Sequence, residues 1–206
     1  MTETPKWLDW AREIYSLSQA GITYSGNDYD IQRYQRLQEI TAEMLASQSE
    51  LSKQTVLQSF SMQHGYATPK IDVRGAVIRD GKILLVRERT DGRWAMPGGW
   101  GDIGDAPAAM VAREVWEESG FRVNVDKLVG VYDANRLQPL EFYHLYKLIF
   151  LCSITSGSAT PSIETLDVEF FGMDNLPPLS ETRTNIRILN EVFAHYENPG
   201  RPTFFE

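Results

Sequence analysis

The sequence predicts an α/β protein: an α/β/α sandwich on a mixed sheet, preceded by a small all-α N-terminal domain. Three observations carry this expectation. Apolar spacing changes from period 3.6 to period 2 close to Tyr66–Lys70. Strand patterns then continue to residue 171, with one helical pattern after the third strand and another at the C-terminus. A glycine-rich loop runs directly into the first of these helices, at residues 98–121.

The first part, residues 1–65, reads as three helices. Pro5 to Gln19 carries Trp7, Trp10, Ala11, Ile14 and Leu17 as a stripe, with Gly21 as the expected stop. A second helix from about Asp28 to Ser47 places Ile31, Tyr34, Leu37, Ile40, Met44 and Leu45 apolar. A third, from about Ser52 to Gln63, carries Val56, Leu57 and Phe60. So short an all-helical segment holds too little core to stand comfortably alone, so its stripes need a further surface, from the second domain or another chain. The aromatics there have two roles open, packing and stacking on a base.

Residues 66–206 form the second part. Ile71–Ile78 and Lys82–Arg87 read as a hairpin across Arg79-Asp80-Gly81. Trp94-Ala95-Met96 is a short strand before Pro97-Gly98-Gly99. After the acidic helix come short strands at Phe121–Val125 and Val129–Tyr132, a long one at Phe142–Ile154, and another at Val168–Phe171. Thr182–Tyr196 reads as the final helix, with His195 expected on its exposed side.

The acidic helix holds the chemistry. At 100° per residue, Glu117 and Glu118 fall about 60° and 40° to either side of Glu114, an arc of roughly 100°. Ala108, Val111, Ala112 and Val115 recur at core-facing spacing on the adjoining arc. Gly120 suits a left-handed stop and Pro107 a first turn. Three neighbouring carboxylates repel unless some protonate or a cation joins them. All-oxygen donors suit a hard ion, Mg²⁺ or Mn²⁺.

The stretch from Gly99 to Phe121 resembles the Nudix box: a glycine, five residues, a glutamate, seven residues, then REUxEExGU. Arg113, Glu114, Val115, Glu117, Glu118, Gly120 and Phe121 match the last part, while the first glutamate is replaced by Asp105. The resemblance implies the sandwich fold and a metal-dependent hydrolase of a nucleoside diphosphate linked to a moiety X. It implies metal ligands at Glu114, Glu117, Glu118 and the Gly99 carbonyl, and an Arg113 that orients acids. Asp105 then has helix capping, support of Arg113, or metal contact open to it. The general base is not fixed by the box: it is open between a box glutamate and the acids Glu164 and Asp167 after the long strand, with Glu164, in the loop, the first choice outside the box. Arg87, Arg89 and Arg93 precede the glycine loop, where phosphate contact and plain surface charge are both open. His144 could face the site from the long strand.

The leading PKWLDWAREIYSLSQAGITYS, the linker YATPKIDVRGAV and the ending FFGMDNLPPLS look similar to Nudix enzymes of the CDP-choline pyrophosphatase and UDP-X diphosphatase kind. That likeness implies a homodimer and leaves the base and X open among CDP-alcohols, UDP-sugars and ADP-ribose. Hydrolysis of RNA ends or dinucleoside polyphosphates is an alternative, and a nucleotide sensor without catalysis is another. The net charge is −8, divided as −3 over residues 1–65 and −5 over the rest, and no Lys/Arg run occurs. Stable nucleic-acid binding is therefore not expected. No apolar run is long enough to span a membrane. The N-terminus has no secretory pattern and Cys152 is the single cysteine, so a cytoplasmic location is expected.

Overall fold

The computed structural model describes residues 5–61, 63–134 and 142–206. The chain divides into two compact units. One runs to Pro69 and includes the short segment ending at His144; the other holds Lys70 onward and resumes at Leu145.

The first unit contains α1 (Lys6–Tyr24), α2 (Asp28–Ser47) and α3 (Lys53–Ser61). Asn27 caps α2 by accepting the Tyr29 amide at 2.9 Å. Contrary to the sequence expectation, α1 does not stop at Gly21. Glycine inside a helix costs about 1 kcal/mol, but a side chain here would collide with the Tyr34 ring of α2. Gly21 is thus a crossing point between helices. The buried face of α1 is also rotated from the expected stripe. Leu8, Ala11 and Tyr15 pack with Ala42, Leu45, Val56 and Phe60, while Trp10 and Leu17 are exposed.

The second unit is built on one mixed sheet. Its strands are β1 (Lys70–Arg79), β2 (Lys82–Glu88), β3 (Trp94–Ala95), β4 (Phe121–Asp133), β5 (Leu145–Gly157), β6 (Thr165–Phe171) and β7 (Phe204–Phe205). The order is β3-β2-β1-β5-β4-β7, with β6 also pairing β2. β1 and β5 are parallel and β4 and β5 antiparallel. The β1–β2 turn uses positive φ at Asp80 and Gly81, the twist a two-residue hairpin needs.

Two helices sandwich the sheet. Helix α4 (Pro107–Ser119) lays Met110, Val111 and Val115 on Val73, Val77, Leu84, Val86 and Phe150. Helix α5 (Ile186–Glu197) lays Ile188, Leu189 and Val192 on Ala76, Ile83, Leu85 and Ile149. Alternate residues of β1 and β2 therefore serve opposite cores. Gly75 has no side chain because one would strike Val115; its absence lets α4 sit close to the sheet. His195 is fully buried rather than exposed. It continues the stripe of Ile188 and Val192 at helical spacing, with Nε2 3.2 Å from Glu191 Oε1.

The strands expected at 121–125 and 129–132 are one strand, β4. Pairing with β5 carries the polar Asp126-Lys127 through, at the expense of register shifts between Val125 and Lys127 and between Leu128 and Gly130. The long strand begins at Leu145, after His144.

Candidate active site

The glycine loop is joined to β1 as an additional edge. Gly75 donates its amide to Pro97 O at 2.8 Å, Val73 to Gly99 O at 2.9 Å, and Gly101 to Ile71 O at 2.8 Å. Gly98 has φ 147, and a side chain there would strike the Val73 carbonyl. A Cβ on Gly99 would stand 3.0 Å from Glu114 Oε2. The loop thus lies against both the strand and the acidic edge of α4.

That edge has a buried end and an open one. Glu118 is 6% exposed and accepts the Gly98 amide on Oε2 at 2.8 Å. Burial pushes its carboxyl up to about 8, and Glu88 and Glu114 push the same way; Arg74 and the Gly98 amide oppose them. Glu114 is raised too, by burial first, then Glu117 and Glu164 against the Arg113 charge. Glu117 is open to solvent and paired to Arg113 at 3.1 Å.

Arg113 gathers acids. Its guanidinium lies 2.9 Å from Asp102, 3.2 Å from Asp105, 3.0 Å from Glu114 and 3.1 Å from Glu117. Asp105 makes this contact and does not cap α4, whose N-cap is Ala106 without a side-chain bond. The Gly99 carbonyl, implied as a ligand by the box, gives one lone pair to Val73.

Glu164 stands just before β6. Thr165 donates its hydroxyl to the Glu118 carbonyl at 3.0 Å, so the loop is tied to the end of α4. Arg89 holds the same loop, donating its amide to Glu164 O at 3.0 Å and its Nε to Ile163 O at 2.8 Å. Arg87 donates to Gly92 O at 2.9 Å. Both arginines are exposed and serve as loop braces in this structure. Arg93 is exposed as well, and Asp91 Oδ1 accepts its amide at 2.9 Å. His144 is exposed and belongs to the first unit.

The sequence reading missed a buried charge chain beneath the loop. Arg74 pairs with Asp72 through two bonds of 3.1 and 2.8 Å and donates to Met96 O. Glu88 lies 3.9 Å from Arg74 and 3.4 Å from Arg183. Lys147 lies 3.5 Å from Asp72 and donates to the carbonyls of Thr182 and Arg183. Strand alternation was the available signal: Glu88 follows Leu84 and Val86 on one face, and Asp72 and Arg74 share another.

Among the described residues no three His, Cys, Asp or Glu side chains already meet around one point. The donor set still fits a hard divalent ion. Buried Glu118 and half-buried Glu114 are carboxylates whose ionised forms are disfavoured by burial and by neighbouring acids, and a cation would offset that penalty.

A mixed sheet between two helices, with a glycine loop opening onto a helix of glutamates, defines the Nudix class of hydrolase. Residues 69–192 match the family pattern described as NUDIX domain, and residues 5–60 match one described as UDP-X-like, N-terminal oligomerisation domain. The chain belongs to the Nudix hydrolase family. It is 41% identical over 202 residues to the "Putative ADP-ribose pyrophosphatase YjhB" of Bacillus subtilis (strain 168), covering 98% of this chain and 97% of that protein. A crystal structure of a UDP-X diphosphatase is 31% identical with TM-score 0.65, covering all of both chains. An ADP-ribose pyrophosphatase from Streptococcus suis 89-1591 is 34% identical with TM-score 0.63, covering 68% of this chain and all of that one. Among the described residues no helix is long and apolar enough to cross a membrane.

Proposed function

We propose that this enzyme uses Mg²⁺ to hydrolyse the diphosphate bond of a nucleoside diphosphate linked to X, releasing a nucleoside monophosphate and phosphorylated X. The observation that carries this reading is the union of Gly98 with Glu118, which puts a bare backbone loop beside buried carboxylates. The relatives' names, an ADP-ribose pyrophosphatase and a UDP-X diphosphatase, fall in the same substrate class. Mn²⁺ is an alternative ion for the same oxygen donors.

Glu114, Glu117 and Glu118 are the side chains that would hold the ion, with a loop carbonyl at Gly99 as a further donor. When bound, the ion neutralises diphosphate oxygens and lowers the pKa of a water. Glu118 is held by the Gly98 amide, so one carboxylate oxygen is fixed and the other is left for the site. Arg113 keeps Glu114 and Glu117 oriented from the side. Glu164, on a loop tied to α4, is the candidate to take the proton from the attacking water. Retention of all three box glutamates argues against a sensor without turnover.

A homodimer through the N-terminal unit belongs to the same reading. Trp10, Leu17 and Tyr24 recur every seven residues on α1 and are all exposed. A nucleotide substrate and a single buried cysteine agree with a cytoplasmic setting.

The test is a hydrolysis panel of ADP-ribose, CDP-choline, UDP-glucose, a dinucleoside polyphosphate and a 5′-triphosphorylated RNA, with Mg²⁺ or with chelator. Mass spectrometry of the products locates the cut. Turnover of a nucleoside diphosphate derivative to a nucleoside monophosphate, lost with chelator, is expected. Turnover confined to the last two substrates, or unaffected by chelator, overturns the proposal.

A further inference from the structure

Met96 is the residue at which the chain changes partner. Before it, Trp94 and Ala95 pair with Arg87 and Val86 of β2. After it, Pro97 and Gly99 offer their carbonyls to Gly75 and Val73 of β1. The β1–β2 register lies beside their turn, at Ile78–Ile83 and Arg79–Lys82, and the glycine loop takes the edge of β1 farther on. Met96 sits at the crossing, fully buried, where its peptide groups need partners from outside the ladders.

Two side chains supply them. The Met96 amide donates to Thr184 Oγ1 at 2.8 Å, and the Met96 carbonyl accepts Arg74 Nη1 at 3.2 Å. Both side chains are buried, and each is itself held. Asp72 takes Arg74 Nε and Nη2 at 3.1 and 2.8 Å, which leaves Nη1 for the loop. Thr184 donates its amide to Ser180 O at 2.8 Å and precedes Asn185, the N-cap of α5. Lys147 fixes the neighbouring carbonyls of Thr182 and Arg183.

The root of the glycine loop is thus clamped by one residue of β1 and one before α5. Two residues beyond the clamp stands the Gly98 amide that holds Glu118. Pro97 lies between, and its ring fixes φ. The direction of the Gly98 N–H therefore follows from the setting of the Met96 peptide.

We infer that Arg74 and Thr184 are positioning residues, which clamp the Met96 peptide so that the Gly98 amide presents Glu118 to the metal edge. This rests on the reading of Glu118 as a metal-holding carboxylate given above and adds the residues that set it. Neither lies on α4 or in the stretch from Gly99 to Phe121.

Mn²⁺ titration of the full chain, read by the paramagnetic resonance of the free ion, tests the clamp alongside steady-state kinetics. The variants are Thr184→Val, Thr184→Ser and Arg74→Lys, each checked by circular dichroism and a thermal melt. Thr184→Val keeps the volume and removes the acceptor. It should weaken Mn²⁺ about tenfold and lower kcat by a similar factor, with KM little altered. Thr184→Ser restores the hydroxyl and should return both to near wild type. Arg74→Lys keeps the buried charge but replaces the fork by a single ammonium, and should repeat the loss. A folded Thr184→Val chain with wild-type Mn²⁺ affinity and kcat overturns the inference. So does a Thr184→Ser chain as impaired as Thr184→Val, which marks packing alone. If Thr184→Val does not fold, Arg74→Lys decides in the same way. If the wild type binds Mn²⁺ but cleaves no nucleoside diphosphate derivative, the proposed reaction falls and the affinities still decide the clamp. A wild type that binds no Mn²⁺ overturns both.

Discussion

Gly98 and Glu118 meet across 20 residues of sequence, backbone amide to carboxylate oxygen at 2.8 Å. This contact joins the loop to the far end of α4 and fixes the most buried acid of the site. Replacing Glu118 by Gln keeps the shape and an acceptor but removes the charge. Turnover should fall about 10²–10³-fold, as expected for loss of a metal-holding carboxylate. Steady-state kinetics with Mg²⁺ check this, and an unchanged rate removes Glu118 from the site.

The same carboxyl makes metal-free stability depend on pH. Its pKa rises from 4.5 to about 8 on folding, so between those values the folded chain binds more protons than the unfolded one. Its contribution is fully present below about 4.5 and is lost as pH rises through 8. Urea midpoints of the metal-free protein should therefore decline from pH 5 to pH 8. Mg²⁺ should restore them at pH 8, and Glu118→Gln should flatten the decline.

Gly98→Ala imposes φ 147 on a side-chain-bearing residue and drives a methyl into the Val73 carbonyl. The backbone alone costs about 1–3 kcal/mol. The melting temperature should drop by several degrees and activity should fall with it. Gly104→Ala, at φ 101 in open space, carries backbone strain without the clash and should lose less stability.

Arg113 is shared among four acids, so losing one should matter little. An exposed ion pair contributes about 0–1 kcal/mol. Asp105→Ala should change kcat/KM less than about fivefold, because Asp102 still holds the guanidinium. Arg113→Ala releases Glu114 and Glu117 together and should cost at least about tenfold. A larger loss for Asp105→Ala than for Arg113→Ala would give Asp105 a direct role.

The box and both core helices were legible because their cues are local. Three glutamates at helical spacing, Gly120 at φ 79 and the Asp80-Gly81 turn each act within a few residues. The missed features depend on distant partners. Gly21 reads as a stop until Tyr34 is known to lie on it. Polar Asp126-Lys127 reads as a break until Ser153, Pro199 and Arg201 supply partners. Glu88 falls just past the expected strand Lys82–Arg87, and its role shows only when two arginines from separate segments approach it. His195 reads as a surface polar group until its place in the α5 stripe is set against the core.

The three bonds from β1 to residues 97–101 have a thermodynamic consequence. Ordering a backbone costs about 1–2 kcal/mol per residue. A loose glycine segment would meet that cost at each substrate encounter, and glycine has the most freedom to lose. Here the sheet meets it once, when the chain folds. This segment of three glycines is therefore poised before ligand arrives, and binding of the proposed diphosphate need not carry an ordering penalty there.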